Sequence, residues 1–377
     1  MTVINTSQHA PMPFFWGSTP DPSAPLAARA QSLLRLRLRR DRLLRFVVAG
    51  AAFAVIAAVL GIPAFLLSGA GLATAVMTDL WPLVAGSLKA AICAVVFAFP
   101  LALGAAAWCA RFARPALRAW LKPMFEIFEA VPAVVLGLIA AVTLAPWLAR
   151  HVLGVVVFLA LAPLALAAAG IVWQSFAPAT WRRAAEGREA WLAVPVILGV
   201  FALALPAGGW LAPMLPAALS EPATPWNALL VGFVLALSVM PTMFTLAEDA
   251  LFAVPAGLAD GAYALGATRW QALTSLVLRA ASPGLVAALL LGFSRALGET
   301  MIVLMASGNT PVASANPLDG LRSVAANLAL EAPEAMPGGA QYRSLLASAL
   351  ILFAACFVLT SVAEAVRGRL RSRYAEL

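Results

Sequence analysis

Two places in this chain of 377 residues put chemically capable side chains where they are costly to keep. The first is Arg295-Ala296-Leu297-Gly298-Glu299-Thr300, in the middle of an apolar run. An arginine at bilayer depth costs roughly 2.5–3.5 kcal/mol on insertion scales, so a partner or a polar cavity must offset it. Glu299 follows four residues on, which on a continuous helix is the same face. The pair is expected to point into a bundle or a polar cavity. A guanidinium is a planar fork that suits oxyanions, and a carboxylate beside it would hold the fork and keep an anion from being trapped. The plainer alternative is an ion pair that pins one helix to another. The second place is segment 248–283, where Asp260, Gly261, Ala262, Leu265, Gly266 and Ala267 mix one charge with small and apolar residues. Two short helices at the membrane surface are expected there, Ala259–Ala267 and Trp270–Leu278, parted by a turn at Gly266-Ala267-Thr268. Their small residues would let a partner's groove approach the backbone, and Pro283 is expected to open the next span.

Other chemistries find little support. The three cysteines (Cys93, Cys109, Cys356) lie in apolar runs without CxxC spacing and read as small packing residues. The two histidines, His9 and His151, lie far apart without an HExxH-like partner, so no metal site is expected. A phosphate-cradling loop needs GxxxxGK[ST]. The only lysines are Lys89 and Lys122, and neither follows a glycine. No cofactor is therefore expected in this chain, and ATP with its Mg²⁺ would have to act on a partner subunit. An integral membrane enzyme is the weakest option, because no paired carboxylates or activated nucleophile appear at membrane depth.

The elements that must hold these residues are membrane helices. The chain is 63% hydrophobic and 11% charged, against roughly 25% charged for a soluble domain. That excess is what lipid-covered surface allows. The fold class is all-α: a polytopic bundle of about eight transmembrane helices, near 46–68, 82–109, 127–149, 152–176, 191–211, 227–247, 284–305 and 343–366. Residues 1–45 are a polar tail ending in an arginine-rich stretch, 46–81 hold the first span and a short outer loop, and 82–377 hold the rest. A cleaved signal peptide is the rival for the first span, since Ala73-Thr74-Ala75 mimics a cleavage site. The apolar run exceeds the roughly 7–15 residues of a signal, which favours an uncleaved helix.

Net charge is +8, but the basic residues sit in short loops rather than on one polar face, so nucleic acid is not the expected partner. With the N-terminus inside, the inner segments hold the seven arginines of 29–45, Arg111, Arg114, Arg118, Lys122, Arg182, Arg183, Arg188, Arg269, Arg279 and the C-terminal arginines. The outer segments hold only Arg150, Arg322 and Arg343. The positive-inside rule then places both termini in the cytoplasm, with 248–283 inside and 306–342 outside. Lys89 lies within a span near its outer end and is expected to snorkel. Glu331 and Glu334, in the outer loop, could meet a binding protein but read first as solvated acids.

The 248–283 segment is similar to the EAA loop of ABC-importer permeases, E-A-A-three residues-G, with Asp260, Gly261, Ala262 and Gly266 at those places and Ala264–Gln271 extending the match. The run Arg295–Met301 with Gly308-Asn309-Thr310 resembles the R-A-L-G-E-T-M and G-N-T signature of PstC-type phosphate permeases. Segments Ser87–Ala107 and Glu126–Gly137 resemble the first helices of that permease core, while 150–225 looks like an added hydrophobic insertion. The resemblance implies a type I ABC-importer permease core in the inner membrane. It implies Arg295, Glu299 and Thr300 in the substrate path, with Asp260, Gly261, Ala262, Leu265, Gly266 and Ala267 docking on an ATPase. It also implies three kinds of partner: a PstA-like second permease, an ATPase dimer and a periplasmic phosphate-binding protein. An ABC permease for another oxyanion or a small organic solute, or a membrane scaffold or regulatory protein in which Arg295 and Glu299 only lock helices, remains open at this point.

Overall fold

The computed structural model describes residues 25–70, 76–178, 180–181, 189–216 and 224–374. Among the described residues there are helices and one isolated bridge, Gly308 to Leu321, but no strand. The chain divides into two compact units, Met1–Ala64 and Phe65–Leu377. Helix α1 is Pro25–Ala70, and Phe46, Phe53, Ile56 and Leu60 on it are exposed. Water would not tolerate such a row, and hydrocarbon does.

In the second unit, seven elements carry the architecture. They are α2 (Val76–Arg111), α3 (Pro115–Glu129), α4 (Ala133–Ile139), α5 (Ala145–Phe176), α6 (Glu189–Leu211), α7 (Ala228–Phe252) and, after the 253–277 segment, a helix ending at Leu297. Helix α2 packs most extensively on α7. The reason is in the sequence: Ala90, Ala94, Ala98, Ala102 and Ala106 recur every fourth residue and are all buried. Such a stripe lets helix backbones approach closely, the usual basis of helix association in lipid, where apolar burial alone gives no drive. On the facing side Leu230, Val231, Val234, Leu235 and Phe244 are buried. Gly232 sits so near Cys93 that an added Cβ would collide with it.

Seven helices are long and apolar enough to cross a membrane. The one at Ala133–Trp173 has 41 residues. At 1.5 Å per residue that is about 62 Å, twice a bilayer core. It is divided at His151, whose backbone is non-helical (φ −125°, ψ 17°). The expected spans 127–149 and 152–176 are thus joined through this break with no loop between them. The C-terminal arm packs on α6, where Gly154 and Gly208 face each other too closely for a side chain on either.

The segment after α7 departs from expectation in one respect. Helix α8 is Ala256–Ala264 and α9 is Arg269–Ala272; a π-helical turn, Leu273–Val277, then leads directly into α10, Leu278–Leu297. The second expected short helix is therefore the start of the next span, and Pro283 lies inside that span rather than opening it. Pro283 leaves the Arg279 carbonyl without its usual N–H donor, and the Ser282 hydroxyl donates to that carbonyl instead, at 2.8 Å. Three further helices complete the chain: α11 (Met301–Ala306), α12 (Val324–Glu331) and α13 (Ala340–Tyr374).

Candidate functional site

Arg295 stands two residues before the end of α10. The helix stops because Gly298 caps it, donating its N–H to the Ser294 carbonyl at 3.2 Å. Gly298, Glu299 and Thr300 are non-helical, and α11 begins at Met301. This corrects the expected pairing. Glu299 shares Arg295's helical face only if the helix continues, and it does not. The predicted span 284–305 is likewise two helices with a break between them. Among the described residues Glu299 makes no ion pair and is half-buried. The Thr300 hydroxyl donates locally to the Gly298 carbonyl at 3.4 Å.

The partner of Arg295 is Glu129. Arg295 Nη1 donates to Glu129 Oε1 at 2.5 Å and to Thr242 Oγ1 at 2.8 Å. Thr242 in turn donates to the same carboxylate oxygen at 3.0 Å. Three elements converge here. Glu129 is the last residue of α3, and Ala130 and Val131 form a non-helical joint before Pro132 caps α4. Thr242 is on α7, directly after Pro241. The stacking of Phe125 on Phe244, ring centroids 4.1 Å apart, seats α3 against α7 and so sets Glu129 beside Thr242. Both side chains of the ion pair remain 39% exposed. A solute can therefore reach the guanidinium, and nothing else in the described residues hydrogen-bonds to its other N–H groups.

The G-N-T run has a structural task. Gly308 (φ 71°) and Asn309 (φ 51°) are consecutive left-handed residues. They turn the chain after α11, and Asn309 Nδ2 caps the helix by donating to the Leu304 carbonyl at 2.8 Å. The loop that follows is anchored rather than free. Lys89 is buried and donates to the carbonyls of Asn316 and Gly320, at 3.3 and 3.4 Å. It was expected to snorkel, but the folded loop brings two carbonyl oxygens to the ammonium instead. Ser87 Oγ accepts the Val324 N–H at 2.9 Å, and Glu331 pairs with Arg322 at 3.1 Å.

At the other end of α7, segment 253–277 presents an exposed hairpin. Gly266 (φ 85°) supplies the left-handed turn. A capping box then starts α9: the Gln271 N–H donates to Thr268 Oγ1 at 3.2 Å and the Thr268 N–H to Gln271 Oε1 at 2.8 Å. Asp260, Gly261 and Gly266 are exposed, Ala262 and Ala267 half-buried, and Leu265 at the tip is 91% exposed. A Cβ on Gly261 would meet open space.

Beside the root of this hairpin lies a cluster that sequence reasoning missed. Glu248 is 1% exposed; it accepts from Arg118 Nε and Cys109 Sγ, both at 3.3 Å. The Arg118 guanidinium also stacks 3.6 Å over the Phe252 ring, and Arg111 Nη2 donates to the Leu251 carbonyl at 3.2 Å. A cavity of about 490 Å³ opens next to it, lined by Cys109, Arg118 and Lys122 among others. A usable signal existed for Glu129, which falls inside the span predicted at 127–149; an acid at membrane depth is a functional candidate by default.

Comparison with known proteins agrees with this architecture. Residues 189–372 match the family described as "Binding-protein-dependent transport system inner membrane component". The chain is 35% identical over 133 residues to the "Probable ABC transporter permease protein YqgH" of Bacillus subtilis, covering 35% of this chain and 43% of that one. It is 27% identical over 292 residues to phosphate transport system permease protein PstC 1 of Mycobacterium tuberculosis, covering 77% and 71%. It is 36% identical over 122 residues to phosphate transport system permease protein PstC of Haemophilus influenzae, covering 32% and 38%. The matched stretch is under half the length of the first and third of these relatives. The chain is a multi-pass membrane protein whose residues 189–372 are similar to the binding-protein-dependent transport system inner membrane components.

Proposed function

We propose that this chain is the PstC-type subunit of an ATP-driven importer that moves inorganic phosphate across the inner membrane. The observation that carries the reading is the half-exposed guanidinium of Arg295, set where two membrane elements are interrupted, α3–α4 at 130–132 and α10–α11 at 298–300. Two broken helices meeting at an arginine offer an anion a charge and a place clear of continuous helix to approach it. The names of the relatives supply phosphate as the oxyanion.

In this reading phosphate arrives on a periplasmic binding protein and enters a cavity between this chain and a PstA-like permease. Arg295 receives it, and Glu299 and Thr300 line the break beside it. An ATPase dimer carries the nucleotide and grips the hairpin through Asp260, Gly261, Ala262, Leu265, Gly266 and Ala267. Leu265 is the apolar knob that fits a cleft on that partner. The sidedness of the basic residues supports a cytoplasmic position for both termini and for the hairpin.

The test is uptake of labelled phosphate in cells lacking their own high-affinity system, with partner subunits co-expressed and membrane levels matched. Uptake by the parent and its loss in Arg295→Ala is the expected outcome. Parental uptake in that variant would remove Arg295 from the path. Failure of both chains, with another oxyanion carried in a competition assay, would replace phosphate by that solute.

A further inference from the structure

We propose that Glu129 is an internal counter-ion that occupies the anion site of Arg295 between transport events and must be displaced for phosphate to bind. The proposal rests on the reading of Arg295 as part of the substrate path and adds a residue that sets the affinity of that site.

The geometry has four parts. The Glu129 carboxylate occupies Arg295 Nη1, and it resembles phosphate in what a guanidinium recognises: a planar or tetrahedral set of anionic oxygens. Thr242 stands between the two, accepting from Arg295 and donating to Glu129. It can donate equally to an incoming phosphate oxygen, so it serves either anion. Glu129 sits at the end of α3 against a non-helical joint, Ala130-Val131, so it can withdraw without unwinding a helix interior. Both members of the pair are 39% exposed, so the exchange needs no buried charge to be stranded. A pair that only locked two helices would gain by excluding solvent and by binding through both arms of the fork. This one uses a single Nη.

The consequence is a competition. With Glu129 in place the guanidinium is already paired and binds phosphate weakly. When α3 moves away from α10, Arg295 is left cationic and accepts phosphate; when α3 returns, the carboxylate expels it. Removing the charge of Glu129 should therefore tighten binding and slow release. In the uptake assay above, Glu129→Gln is expected to lower the KM for phosphate about fivefold, equivalent to about 1 kcal/mol, and to lower the maximal rate. Glu129→Asp, which keeps the charge, should stay near the parental KM. An unchanged KM in Glu129→Gln, at matched membrane level, overturns the proposal, whether the maximal rate falls or not; a fall in rate alone marks a merely structural pair. Arg295→Ala run in parallel separates the two readings. If that variant transports like the parent, the path assignment fails and this inference with it. If it is inactive while Glu129→Gln keeps the parental KM, only the exchange is wrong.

Discussion

Glu248 and Arg118 form the most one-sided ion pair among the described residues, an acid 1% exposed against a base 41% exposed. Truncating the base would leave a buried carboxylate with only the Cys109 thiol as donor, while removing both charges would strand nothing. Arg118→Ala is therefore expected to destabilise toward the lower end of the roughly 3–5 kcal/mol typical of a broken buried pair, because Arg118 is itself partly screened by solvent. Arg118→Met combined with Glu248→Gln should recover most of that loss. Thermal unfolding in detergent of the two variants beside the parent checks this; equal melting of Arg118→Ala and parent would refute it. At this scale the sequence disclosed one half of each interaction. Arg295 stands out because a charge inside an apolar run has no innocent explanation. Its partner was misread because a spacing of four residues reveals neighbours only along an unbroken helix, and Gly298 ends the helix first. Glu129 is 166 residues away in sequence, beyond the reach of any periodic pattern.

Helix α3 joins the two polar clusters. Near one end Arg118 holds Glu248, near the root of the exposed hairpin, and at the other Glu129 holds Arg295. Between them the Phe125–Phe244 stack keeps α3 on α7. A displacement of the hairpin root thus has a rigid route to the Arg295–Glu129 pair. The hairpin itself carries a clear expectation. Leu265→Glu changes no internal contact of a residue 91% exposed, so the chain should reach the membrane at its normal level, yet uptake should fall at least tenfold, because a charge cannot enter an apolar cleft without large desolvation cost. Co-purification with the ATPase subunit should weaken in parallel. Normal uptake in that variant would remove Leu265 from the contact. The elements were legible in the chain to the extent that each was a long apolar run: α2, α6, α7 and α13 lie close to where hydropathy places them. The break at His151 was legible, since Arg150 and His151 interrupt the apolar run and part the expected spans 127–149 and 152–176. What hydropathy cannot register is the break at Gly298, which lies inside the single expected span 284–305 because it is a backbone event.

For the whole molecule, the asymmetric placement of arginines predicts a sidedness that can be read directly. A cytoplasmic reporter fused after Leu377 should be active, and a cysteine introduced at Ser314, in the outer loop held by Lys89, should react with an impermeant maleimide added to intact cells after the native thiols are blocked. Reversed labelling would invert the topology and place the hairpin away from any cytoplasmic ATPase. The stretch from Arg269 to Leu297 also has a consequence for how the molecule is geared. Its π turn at Leu273–Val277 holds one residue more than an α-helical path needs. Each residue advances the helix by about 100°. The extra one therefore sets the angular position of Arg295 for a given orientation of the hairpin. Deleting Ser275 would relax the turn to an ordinary helix and leave every side chain chemically intact, while rotating the anion site and the hairpin out of phase by about that angle. The π turn is thus an angular spacer: it fixes the offset between the hairpin end of the span and the end that carries Arg295.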